Sequence, residues 1–78
     1  MQKQYIDEQV IHKVIIAIKT MRKAKKITLE AIYFDTGIHV ARIEQGKTNI
    51  TISTLAKLCN YFEISLSDFF KFTEDIKN

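Results

Sequence analysis

Proline is missing altogether from this chain of 78 residues, and no low-complexity tract, internal repeat or linker-like stretch divides it. A single domain is therefore expected over residues 1–78, packed from about residue 6 to about residue 70 and with short frayed ends. A chain of this size lies near the lower limit at which a hydrophobic core holds a fold without disulfides or metal, so a dimer that adds core would help it. Cysteine is almost as scarce. Cys59 stands alone, which excludes an internal disulfide, and the two histidines, His12 and His39, match no metal-ligand spacing. These absences fit a reducing cytoplasm. Long apolar runs are lacking too. The longest, residues 14–18, is far too short to span a bilayer, and the start of the chain has no apolar stretch with a small-residue cleavage site. A soluble cytoplasmic protein without a membrane partner is expected.

The constellations of catalysis are absent as well. There is no carboxylate pair, Cys/His dyad, phosphate-cradling glycine loop or metal cluster, and Asp7, Glu8 and His12 on one predicted helix read as a solvated polar group. Neither an enzyme nor a cofactor, metal or small-molecule ligand is expected. One stretch lacks charge of one sign: no acid lies between Glu8 and Glu30, whereas Lys13, Lys19, Arg22, Lys23, Lys25 and Lys26 all do. From Glu63 onward the balance reverses, with Glu63, Asp68, Glu74 and Asp75 against Lys71 and Lys77. The net charge of +3 thus conceals a polar distribution. A basic end suits a polyanion, and it also suits the C-terminal dipole of a lysine-rich helix.

What the chain does have is helical periodicity throughout. Val10, Ile11, Val14, Ile15, Ile18 and Met21 recur at steps of three and four, which places them on a wide core-facing stripe of a long first helix. Tyr5 and Ile16 project from nearly the opposite side, as scattered surface apolars or as an association patch. Thr28 is placed to cap a second helix running to about Thr36, where Gly37 can take a positive φ and stop it. A short third helix follows over 39–45, stopped by Gly46, with Lys47, Thr48 and Asn49 as a loop. Thr51 or Ser53 caps a fourth helix whose Ile52, Leu55, Leu58, Cys59 and Phe62 form a core stripe, Cys59 among them as a small buried hydrophobe. Ser65 and Asp68 have the spacing of a capping box and open a last helix carrying Phe69 and Phe70. The reading is all-α, five helices without a strand.

Gly37-Ile38-His39-Val40-Ala41-Arg42-Ile43-Glu44-Gln45-Gly46 resembles the second half of the helix-turn-helix in the lambda-repressor and Cro-like family. Further anchors of the resemblance lie in order along the chain: Ile18-Lys19-Thr20-Met21-Arg22, Thr28, Leu55-Ala56-Lys57-Leu58-Cys59 and Ile64-Ser65-Leu66-Ser67-Asp68-Phe69-Phe70. The resemblance implies a compact five-helix DNA-binding domain with the helix-turn-helix at helices 2 and 3, working as a transcriptional regulator of repressor type. It implies a structural salt bridge between Arg22 and Glu44. It also implies base contacts in the major groove from Arg42, with His39 and Val40 beside it, the last against a thymine methyl. Phosphate contacts would come from Thr28, Lys26, Lys47, Thr48 and Asn49. The partner implied is double-stranded DNA, bound by a homodimer.

The chain departs from the family pattern in three places. The two glycines stand about three residues closer than usual, nearly one helical turn, so the third helix lacks residues that ordinarily enter the groove most deeply. Tyr33 occupies a position that is commonly a small alanine. Either the helices are spaced differently, or Tyr33 and Phe34 fill the volume left by the missing turn. Leu29 replaces a polar residue that commonly contacts phosphate. Two other roles fit the same scaffold: an interaction module that no longer reads sequence, acting through Tyr5 and Ile16 or through Phe69, Phe70 and Phe72, and the antitoxin of a toxin-antitoxin pair.

Overall fold

The computed structural model describes residues 7–46 and 49–77. Five helices follow one another: α1 (Glu8–Ala24), α2 (Leu29–Thr36), α3 (Val40–Glu44), α4 (Ile52–Tyr61) and α5 (Leu66–Glu74). Among the described residues there is no strand, and no helix is long and apolar enough to cross a membrane. α1 packs on α5 and α3, α4 packs on α5 and α2, and α2 packs on α3. The short α3 thus hangs between α1 and α2.

Local chemistry sets the starts of the helices. The side chain of Asp7 accepts the Val10 N–H at 3.1 Å, Thr28 accepts that of Ala31 at 3.0 Å, Thr51 that of Thr54 at 3.1 Å and Ser65 that of Asp68 at 3.0 Å. Each oxygen satisfies one of the amides that the first turn leaves unpaired. Of the alternatives Thr51 and Ser53, Thr51 is the cap of α4. α3 is the exception, because His39 at its start makes no side-chain capping bond.

Helix ends are made in two ways. α2 stops at Gly37, whose φ of +76° is the left-handed conformation glycine adopts at little cost. α1 and α4 stop without glycine, through Lys26 and Glu63 at φ +57° and +60°. In both, the next residue folds back: the Ile27 N–H reaches the Arg22 carbonyl at 2.9 Å, and the Ile64 N–H reaches that of Cys59 at 2.9 Å. Ile27 and Ile64 pack against the core, so apolar burial offsets the roughly 1–2 kcal/mol that a left-handed residue bearing a Cβ costs.

The core consists of Ile11, Val14, Ile15, Ala17, Ile18, Ile32, Val40, Ile43, Leu55, Leu58, Cys59, Phe62 and Phe69. Burial pushes the Cys59 thiol above its ordinary pKa, as expected of a cysteine serving as a small hydrophobe. Three residues of the expected stripes are not in it, of which Met21 is partly buried and packs against it. Val10 is 50% exposed and Ile52 is 65% exposed. Ile52 lies at nearly the same angle around its helix as the buried Cys59, seven residues on, so periodicity alone does not separate them. Both exposed residues stand in the first turns of their helices, beyond the neighbours that cover the rest of each stripe. Ile16 is half-buried, and Tyr5 lies outside the described residues. Packing also continues past residue 70: Thr73 is buried, its hydroxyl donating to the Phe70 carbonyl at 2.8 Å, and Ile76 rests on the core.

Candidate nucleic-acid interface

α3 has a buried side and an open side. Val40 and Ile43 point into the core, while Ala41, Arg42 and Gln45 are exposed. Its C-terminal end is held from below. Arg22, in the last turn of α1, donates from Nε to Glu44 Oε2 at 3.0 Å and from Nη2 to Glu44 Oε1 at 3.2 Å. The remaining Nη1 reaches the Ile27 carbonyl at 3.5 Å. A planar guanidinium meeting a carboxylate at two points fixes direction as well as distance. The side chains are only 15% and 9% exposed, so the charges attract through a medium less screening than water. The clamp ties α1 to α3 and leaves Arg42, two residues before Glu44, facing outward.

The other end of α3 is built differently. The His39 ring lies over that of Tyr33, centroids 4.3 Å apart and planes 29° from parallel. Tyr33 therefore does not enter the α2–α3 crossing. It stays 49% exposed along the edge of α2, and Phe34 is 89% exposed. Of the two alternatives, different helix spacing or filling by both rings, filling does not hold for Phe34, which faces solvent because it lies on α2 opposite the buried Ile32. Beside the two rings lies an open surface notch of about 500 Å³ lined by Leu29, Glu30, Tyr33, Phe34, His39, Val40 and Ala41.

α2 is held against α4 as well. The Tyr61 hydroxyl donates to Asp35 Oδ2 at 2.6 Å. Because this bond is made by the neutral phenol to a negative carboxylate, it raises the Tyr61 pKa above its ordinary value, with some desolvation and the Asp35 charge acting the same way. No motif in the sequence signalled this pair, since 26 positions separate its members.

The expected contact residues are distributed unevenly over this face. Arg42 is exposed and available. His39 is exposed with its ring committed to Tyr33. Val40, at 1% exposure, is a core residue and cannot touch a base: with α3 cut short, its first helical position falls where the helix meets the core. Thr28 and Lys26 are both exposed at the junction of α1 and α2. The Thr28 oxygen already accepts the Ala31 N–H, which leaves its hydroxyl proton to donate. Asn49 is exposed and accepts the Ile50 N–H at 3.0 Å, while Lys47 and Thr48 lie outside the described residues. Lys19, Lys23 and Lys25, toward the end of α1, are exposed too, so positive charge collects near the α1–α2 junction although Arg22 is neutralised by Glu44.

A pair of short helices joined by a tight glycine turn, clamped to the helix before it and open on its outer side, defines a helix-turn-helix unit. Residues 17–75 match the family of Cro/C1-type helix-turn-helix DNA-binding domains, and the chain belongs to that family, one of DNA-binding and generally non-enzymatic domains. No curated protein matches the chain.

Proposed function

We propose that the protein is a sequence-specific regulator of transcription that binds duplex DNA as a homodimer, with the open side of α3 against the major groove. The observation that carries this reading is the clamped α3. Its inner residues are buried and its last residue is held at two points, so Arg42 projects from a fixed base rather than from a mobile loop. A guanidinium so placed suits the O6 and N7 acceptors of guanine, a contact that discriminates between bases by about 1–3 kcal/mol. The exposed Thr28, Lys26 and Asn49 would supply phosphate contacts, which set register without reading sequence. A helix this short offers few base contacts per protomer. Joining two protomers on a two-fold-related site multiplies them.

A second reading, an interaction module that does not read sequence, is favoured by one feature: an apolar groove of about 230 Å³ where the exposed Val10, Ile52 and Phe70 meet. Phe69 plays no part in such a surface, being fully buried.

Selection from a randomised duplex pool, run with wild type and Arg42→Ala over a range of salt concentrations, separates the two. The regulator should enrich a two-fold-related site, and Arg42→Ala should weaken binding to it by about ten- to a hundredfold and relax one base position. Uniform, weak and equally salt-sensitive binding by both proteins would mean that only phosphate attraction remains.

A further inference from the structure

The side chains around the notch between α2 and α3 are of an unusual kind for an exposed surface. Phe34 is 89% exposed, Tyr33 is about half exposed, and Leu29 and Ala41 complete an apolar wall and floor. We propose that this notch reads the 5-methyl group of thymine, with Phe34 and Tyr33 of α2 and Ala41 of α3 as specificity-determining residues. The inference rests on the duplex-reading role proposed above and names the feature of the duplex that this face selects.

Position and charge converge on that occupant. Ala41, which lines the notch, is exposed on α3 directly before the exposed Arg42, so the notch and the guanidinium open from consecutive residues of one helix. Phosphates are poor occupants, because the Glu30 carboxylate lies among the lining residues and would repel them. The exposed lysines that attract phosphates lie to one side, at the α1–α2 junction. What remains within the reach of an apolar pocket beside a major-groove arginine is the base edge, where the thymine methyl is the apolar group among the four bases; alanine and phenylalanine are fitted to contact it. Stacking against His39 holds the Tyr33 ring in place before binding, so little rotamer freedom is lost when a methyl settles against it. The contact first expected from Val40 thus passes to α2, since Val40 is buried.

The test uses the site enriched from the randomised pool, with each thymine replaced singly by deoxyuridine, which removes the methyl and leaves the hydrogen-bonding edge unchanged. Wild type should lose about fourfold in affinity at each methyl the notch covers, the effect of exposing one CH₂-sized group. Phe34→Ala, which removes a ring that supports no packing, should keep the wild-type melting temperature and bind the thymine and uracil duplexes alike at one such position. Tyr33→Ala should do so at the same or the adjacent position. If wild type selects a site yet tolerates uracil at every position, the notch does not read methyl groups, while duplex reading stands. Methyl sensitivity that survives both substitutions would overturn the assignment to these residues. If no site is enriched at all, sequence reading fails and this inference with it.

Discussion

The two ends of α3 are made on opposite plans. At the C-terminal end Glu44 is gripped at two points by Arg22, and Gly46 follows at φ +75°. At the N-terminal end His39 makes no capping bond, and a single ring contact with Tyr33 is what it offers. The first end belongs to the scaffold and joins α1, whose apolar face runs through the core. The second belongs to the surface, where apolar side chains of α2 are exposed. The first turn of such a helix can thus be short without loss of its hold on the domain, because the hold is concentrated at the other end.

Substitutions at the two ends test this contrast directly. Glu44→Ala leaves the Arg22 guanidinium largely buried without its carboxylate. It should cost about 2–4 kcal/mol of folding stability, slightly discounted from a fully buried pair because both side chains retain some exposure. A thermal melt should show a fall of roughly 10 °C or more, and a shift of only a degree or two would mean that the clamp is dispensable. His39→Ala should cost much less, about 0.5–1 kcal/mol, because it removes one partly exposed stacked pair. Equal losses at His39 and Glu44 in urea titrations would erase the contrast.

The smallest effect concerns the tie between α2 and α4. Tyr61 has its pKa raised in the folded state by the bond to Asp35, so its contribution is complete below the unfolded tyrosine value of about 10 and fades as pH rises through the folded value. Tyr61→Phe should therefore melt slightly below wild type at neutral pH, and the gap should close above about pH 10. A gap that widens in alkali would show that the hydroxyl acts through something other than this bond.

Much of the fold was legible because it depends on near neighbours. Thr28, Gly37 and the pair Ser65 and Asp68 act within three or four positions of themselves, so spacing alone places them, whereas for α4 it left Thr51 and Ser53 as alternatives. The left-handed residues Lys26 and Glu63 were less visible, since nothing in a lysine or a glutamate marks it for that conformation. The signal lay one residue further on, in Ile27 and Ile64, whose burial draws the chain back. Of the interface, Arg42 and its relation to Glu44 followed from a motif of adjacent residues. The exposure of Val10, Ile52 and Phe34 and the burial of Val40 did not, because burial is conferred by whichever distant segment packs opposite.

The sequence by itself determined that the chain is helical, where its helices start, where glycine turns them, and that a basic end and an Arg-Ile-Glu motif accompany a shortened third helix. These are properties of periodicity, capping and charge order, each settled by interactions a few residues long. Only the tertiary structure decided that Tyr61 holds Asp35 and that Tyr33 lies outward over His39 beside an open notch, and it gave the Arg22–Glu44 pair, which the resemblance had implied, its two bonds across 22 positions. The reason is physical: a side chain's partner and its exposure are set by the packing of helices that meet in space, and that packing is fixed by the whole core at once.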